Sequence, residues 1–397
     1  MRRYSFRSGI LLTVLVLILT VAVLEVVVRP IIDPRVDFKN KPYSAYTYVQ
    51  REYSMRVRLN ADGFRDEPFE EPPAGAFRAV VLGDSFAFGW GVEAWEAFPQ
   101  LLESLVSERL GRLAVFFNLS TEGSDVEEYV SHLRRLGPTL KPHLVVVSYF
   151  VGNDAVARRE RVKRYPESLS GWVEKYLKKL KLVRFIRTRR LKSQVAQSLG
   201  MDLQPRDVRG VRNPMLDLLS SADPAVQARL RRVPEEDLKD ALQWRINPFS
   251  LEQAVLQPDL AGHLKGQLTI LTDDPSTGRL LKDIRDEAAR LGATVACVLI
   301  PASFQVQPSA VAALKRLGYK AEGELVAEPR PQRVLVEILR ELDVPTLDLT
   351  VALRGLPEEP YYPLDGHLNP AGHRAVALAI AGFLAENGLL ADESKES

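Results

Sequence analysis

The chain has 397 residues, 26% of them charged, yet its net charge is only +2 at pH 7 and it carries a single cysteine. Its length exceeds one average domain and suggests one large unit with additions. The lone Cys297 excludes an intrachain disulfide and sits in an apolar run where a small buried residue is expected. Five histidines and one cysteine, with no HExxH or CxxC spacing, argue against a dedicated structural zinc site, so neither metal nor cofactor is expected.

Ile10 to Val28 is an aliphatic run of 19 residues, interrupted only by Thr13, Thr20, Ala22 and Glu25, and that length can cross a hydrocarbon core. It reads as an uncleaved transmembrane anchor. A cleaved signal peptide is the competing reading, but the run is longer than a usual h-region and no small-x-small cleavage site precedes Arg29-Pro30. Arg2, Arg3 and Arg7 hold the N-terminus in the cytoplasm, which places everything beyond residue 30 outside it. Residues 31–76 are rich in Pro, Tyr and charge, lack clean periodicity and contain the turn Asn60-Ala61-Asp62-Gly63. This juxtamembrane segment is expected to pack on the main domain.

From Arg78 onward, strands alternate with helices. Ala79 to Leu82, Ala114 to Leu119 and Leu144 to Tyr149 read as buried strands; Glu93 to Leu110 and Val126 to Leu136 read as helices. The rhythm stops after Asp154. It resumes with a helix over Thr277 to Leu291, a strand over Thr294 to Ile300, a helix over Pro331 to Leu342, a short strand over Pro345 to Leu349 and a helix over Ala371 to Glu386. Uniformly apolar strands alternating with helices predict a parallel sheet covered on both faces. The expected fold is a three-layer, doubly wound α/β domain of the flavodoxin-like kind, formed by 77–154 and 277–390, with ligands bound beyond the carboxyl ends of its strands. A tail of 391–397 follows.

Residues 155–276 form an insertion of different composition, mainly helical in propensity but broken by seven prolines from Pro166 to Pro258. It reads as a cap or lid. From Arg158 to Lys192 it carries a net charge of +11, so the rest of the chain carries −9. Within that stretch Trp172, Tyr176, Leu180, Val183 and Ile186 make an apolar stripe between lysines and arginines. Two readings stand: a lid helix packing its stripe on the core, and a helix resting on anionic lipid headgroups. Outside the cytoplasm a nucleic-acid partner is not expected. Protein partners are left open.

The chemistry begins at Gly83-Asp84-Ser85, where an apolar strand ends and places a serine at a strand-to-loop switch. A serine hydroxyl is a poor nucleophile near neutral pH and needs a base, and the base needs an orienting acid. His367 is the candidate base. In an extended segment residues two apart face the same side, so Asp365 can orient it. Asn369-Pro370 then reads as N-cap and first residue of the last helix, anchoring this loop. Acyl transfer also needs donors aimed at a developing oxyanion. Ser85 N–H, Gly123 N–H and the Asn153 side-chain amide supply three. Asp84 and Asp154 read as loop organisers acting through Asx-type hydrogen bonds. His373 reads as a surface residue or one just behind the site, and His132, His143 and His263 are assigned no chemistry.

Gly83-Asp84-Ser85, Gly123, Gly152-Asn153-Asp154 and Asp365-Gly366-His367 resemble, in order, the four blocks of the SGNH/GDSL hydrolase superfamily. The resemblance covers about 78–154 and 277–388. It implies Ser85 as nucleophile, His367 as base, Asp365 as its partner, and Ser85, Gly123 and Asn153 as oxyanion donors. The usual last block has two residues between Asp and His, whereas here only Gly366 intervenes. A similar Asp-x-His spacing occurs in membrane-linked polysaccharide acetyltransferases of the superfamily, where the block precedes the serine. Three functions follow: a membrane-anchored extracytoplasmic serine esterase acting on an acylated small molecule or glycan, an O-acyltransferase to a cell-envelope glycan, and a silent envelope scaffold. The scaffold requires His367 to turn away from Ser85.

Overall fold

In a computed structural model, described residues are 42–155, 213–320 without residue 222, 329–390, and five positions between 13 and 23. The basic stretch 158–192 and the tail 391–397 lie outside them. Most of the anchor run 10–28 does too. Its five described positions are helical, and Val16, Leu19 and Val23 are exposed. Among the described residues no helix is long and apolar enough to cross a membrane.

Five parallel strands form the central sheet: β3 Phe77–Gly83, β4 Ala114–Asn118, β5 Leu144–Phe150, β6 Thr294–Ile300 and β7 Thr346–Asp348. Their spatial order is β4-β3-β5-β6-β7. Counted within the sheet this is 2-1-3-4-5, the flavodoxin-like order, with its switch point between β3 and β5. Strand alternation sends the two sets of side chains to opposite layers. Phe77, Ala79 and Val81 join Val146, Val298 and Ile300 against the helices Phe98–Leu110 and Pro370–Glu386. Val80 and Leu82 join Val147, Cys297 and Leu299 against Val126–Leu140, Ser276–Arg290 and Arg330–Glu341. Helices cover both faces, which is why the strands are apolar along most of their length, with polar residues such as Arg78, Asn118 and Thr294 near their ends. Cys297 is fully buried, and burial pushes its thiol well above the ordinary range.

Several boundaries differ from the sequence expectation for identifiable reasons. The helix expected over Glu93 to Leu110 is a 3-10 turn, Ala94–Glu96, then an extended Ala97 and an α-helix from Phe98. Pro99 has no N–H to donate and fits only in the first turn, so the α-helix starts there. Val126–Leu140 runs one turn past the expected end, carrying Pro138 inside it. The last strand shortens to Thr346–Asp348. Asn369 caps the final helix as expected, accepting from Gly372 N–H at 2.9 Å, with Pro370 following.

The segment before the sheet is more ordered than its composition suggests. β1 Ala45–Val49 and β2 Ser54–Arg58 pair antiparallel as a hairpin. Tyr48, Tyr53, Met55 and Val57 point inward, onto Phe88 at the end of the Ser85 turn and Trp90 just beyond it. Arg65 locks this packing. Its side chain is fully buried, donating to the carbonyls of Phe88, Gly89, Val92 and Arg56. Burial lowers its pKa to about 10, and neighbouring acids work against that shift.

The described part of the insertion consists of short helices from Met215–Leu219 to Leu260–Asp273. The earlier ones bury their own apolar cluster around Met215, Leu216, Leu242 and Leu251. Arg51 of the hairpin reaches it through Asp237 at 2.9 Å and Asp240 at 2.5 Å.

Candidate active site

Parallel strands β3, β4 and β5 end on one edge, and three of the four blocks follow those ends. After β3 the chain turns into the one-turn helix Ser85–Phe88, with Asp84 as its N-cap. The Asp84 carboxylate accepts from Phe86 N–H at 3.0 Å. Ser85 is therefore the first helical residue, half-buried, on a turn whose far end Gly89 closes with a φ of 79°. Gly83 has no room for a side chain, because a Cβ would lie 2.7 Å from that of Ala87. Close passage of the loop after β4 explains the rest of the packing: Thr121 N–H and Ser124 Oγ both donate to the Gly83 carbonyl, at 3.2 and 3.3 Å. Gly123 lies inside that loop at a φ of 59°. Asn153, on the turn after β5, is exposed at the same edge.

The fourth block arrives from the other end of the chain. Asp365-Gly366-His367 is a turn and not the extended segment expected. Gly366 has a φ of 82°, its N–H donates to the Tyr362 carbonyl at 2.8 Å, and the Tyr362 N–H donates to the His367 carbonyl at 2.9 Å. A left-handed residue between acid and base lets two side chains separated by one residue meet. His367 Nε2 lies 2.8 Å from Ser85 Oγ, and Nδ1 lies 2.5 Å from Asp365 Oδ1. Phe86 and Trp90 rings flank the imidazole, with centroids 4.9 and 6.2 Å away.

Burial alone pushes the His367 imidazole down, but the charge and hydrogen bond of Asp365, with Asp84 and Glu122 behind it, raise it above its ordinary value. Asp84 is itself fully buried, and desolvation lifts its carboxyl to about 6 against the Phe86 hydrogen bond. Desolvation also pushes Asp154 well up, helped by the nearby Asp84 charge. Asp154 accepts from Tyr129 O–H at 2.9 Å and from Phe150 N–H at 2.8 Å. It braces the end of β5 across to the neighbouring helix, so it organises the loop by a longer reach than an Asx turn. Oδ2 of Asp84 and Oδ1 of Asp154 have no hydrogen-bond partner among the described residues.

His373 is not at the surface. It is buried, and its Nδ1 accepts from Phe98 N–H at 3.2 Å, at the start of the helix Phe98–Leu110. Burial, with the positive charge of Arg65 nearby, depresses it to about 3, so it is a neutral acceptor. Among the described residues no group of three or more His, Cys, Asp or Glu side chains is gathered to hold a metal ion.

Sequence reasoning passed over the hairpin's part in this site. Tyr53 O–H donates to Asp365 Oδ2 at 3.0 Å. Glu52 accepts from Leu364 N–H at 2.9 Å and from Asp365 N–H at 2.8 Å. Tyr46 O–H donates to Glu122, beside Gly123, at 2.9 Å. The alternation Ser54-Met55-Arg56-Val57-Arg58 was a usable strand signal, but the link Gln50-Arg51-Glu52-Tyr53 has no Gly, Asn or Pro to mark a turn.

Residues 272–397 match the family model described as an SGNH hydrolase-like domain, acetyltransferase AlgX. No curated protein is significantly similar to the chain. Solved structures similar to it include TesA, at 12% identity over 78% of this chain and 98% of that one, with a TM-score of 0.36. A variant of Axe2, an acetyl-xylooligosaccharide esterase from Geobacillus Stearmophilus, is 11% identical over 83% of this chain and all of that one, with a TM-score of 0.38. The psychrotrophic esterase EstA from Pseudoalteromonas sp. is 9% identical over 78% and 97%, with a TM-score of 0.36. The family match over the last third of the chain agrees with the four blocks, carried in order, that resemble the SGNH/GDSL hydrolase superfamily, and together they support an enzyme that acts on acyl esters by hydrolysis or transfer.

Proposed function

We propose that the protein is a membrane-anchored serine esterase, with its catalytic domain outside the cytoplasm, that removes acyl groups through an acyl-enzyme intermediate. The observation that carries this reading is the continuous contact from Ser85 Oγ to His367 Nε2 at 2.8 Å, and from Nδ1 to Asp365 at 2.5 Å. Ser85 Oγ attacks the ester carbonyl as His367 Nε2 takes its proton. The oxyanion is met by the N–H groups of Ser85 and Gly123 and by the Asn153 amide, each donor worth roughly 3 kcal/mol in comparable sites. His367 then returns the proton to the leaving alcohol, and water, deprotonated by the same imidazole, releases the acid. A silent scaffold would need His367 turned away, which its contact with Ser85 argues against. The aliphatic run 10–28 behind Arg2, Arg3 and Arg7 supports the anchor and its orientation.

Replacing Ser85 by Ala and assaying p-nitrophenyl acetate is the direct test. A fall of at least about 10³-fold in kcat is expected; wild-type turnover would overturn the assignment. The second reading is transfer of the acyl group to a glycan hydroxyl, with a sugar alcohol in place of water. It is favoured by the acetyltransferase family match over 272–397 and by the Asp-x-His spacing. Acylated oligosaccharide formed from an acyl donor and an oligosaccharide acceptor would establish it over hydrolysis.

A further inference from the structure

The hairpin tip touches the catalytic turn at three points while contributing nothing to the sheet. A carboxylate that orients a histidine has two oxygens, and only one can face the ring. The second must be held, or the group rotates and the imidazole loses its bearing. In this protein Oδ1 of Asp365 faces His367, and Oδ2 faces the hydroxyl of Tyr53 at 3.0 Å. The Tyr53 ring is buried and packs on Tyr362, whose centroid lies 4.8 Å away, so the hydroxyl cannot swing off its acceptor without breaking the core beneath the hairpin. Glu52 takes the backbone N–H groups of Leu364 and Asp365 and fixes the main chain that carries the same carboxylate. Arg51, one residue earlier, fastens the tip to Asp237 and Asp240 of the insertion, and its own N–H donates to the Arg245 carbonyl at 2.5 Å.

We propose that Tyr53, supported by Glu52, is a positioning residue for the reaction: its hydroxyl holds Oδ2 of Asp365 so that Oδ1 aligns His367 with Ser85. This rests on the ester-acting reading given above and deepens it. Tyr53 acts through Asp365 and does not reach the reacting atoms. Desolvation, together with the Asp365 charge, raises the Tyr53 phenol well above its ordinary range, so it stays a donor wherever the enzyme is folded. The arrangement also explains how a shortened Asp-x-His block can work. With one intervening residue the turn has little length to brace itself, and the hairpin supplies the bracing from outside.

The test is Tyr53→Phe in the full chain, which keeps the ring and its packing and deletes only the donor. Two readings are taken: steady-state kinetics on p-nitrophenyl acetate, and the ring titration of His367 followed by NMR, which needs no substrate. Loss of the donor concentrates the Asp365 charge on Oδ1 and loosens its aim. The His367 titration then moves to higher pH, and kcat falls roughly 10-fold with KM little changed, a size typical of outer hydrogen-bond partners. Tyr319→Phe is the control, since it deletes a partly buried hydroxyl bonded to the Ser250 carbonyl in the insertion. It is expected to move thermal stability alone. If Tyr53→Phe leaves both the titration and kcat at wild-type values, or merely lowers Tm as the control does, the proposal fails. If Ser85→Ala keeps full activity the ester-acting reading fails instead, and the His367 titration still decides whether Tyr53 governs Asp365.

Discussion

At the scale of single residues, the pH dependence of the site should report the surroundings of His367. In the proposed mechanism His367 must be neutral to accept the Ser85 proton, and Asp365, Asp84 and Glu122 together outweigh burial and hold its pKa above the ordinary value. The acid limb of kcat/KM is therefore expected above about pH 6.5, the ordinary histidine value. Asp365→Asn should lower kcat by about 10³- to 10⁴-fold and move that limb to lower pH, because the stabilising charge is gone. A pH–rate profile of the two proteins checks both. Ser85, His367 and Asp365 could be read from sequence as a candidate set, because a nucleophile, base and acid must be residues of definite types standing near strand ends or helix starts, and the structure brings the three side chains together. The backbone that joins them was not. Asp-Gly-His reads as extended by alternation, and only the φ of 82° at Gly366 shows how the shortened spacing closes. Tyr53 was invisible in sequence because its role depends on a hydroxyl meeting a carboxylate 312 positions away.

At the scale of elements, His373 couples the last helix to the start of Phe98–Leu110, and it does so only while neutral. Its pKa is depressed to about 3 in the folded protein, whereas the unfolded chain binds that proton near pH 6.5. Stability from this group is thus present above pH 6.5 and is lost as pH falls through the window down to about 3. Between pH 6.5 and 5 the loss amounts to roughly 2 kcal/mol. His373→Gln keeps an acceptor for Phe98 N–H but does not titrate, so its urea midpoint should decline less over that interval. Equal declines in the two proteins would remove His373 as the source. The helix was readable as a periodic segment; the histidine's burial was not, since position 373 falls on the inner face only once the final helix is set against its neighbour. The strand–helix alternation survived nearly intact because buried parallel strands demand unbroken apolar runs, a pattern that few other structures need.

At the scale of the whole molecule, groups from the two ends of the described chain meet on one rim of a five-stranded sheet. The proposed anchor predicts a partition experiment: the full chain should sediment with membranes, and removal of residues 1–30 should release an active soluble form. Recovery of the full chain in the soluble fraction would count against the span over 10–28. Where that soluble form is cut matters more than the positions of the four blocks suggest. The sheet and the four blocks invite a start at β3, yet Arg65 is a buried cation whose bonds all run to carbonyls, four of them, and three belong to the segment from Phe88 to Val92 that follows Ser85. A version beginning at residue 77 would leave those carbonyls facing a void and strip Asp365 of its braces. It would yield a protein that has all four signature blocks and no working site, an inactivity easily misattributed to the wrong choice of substrate.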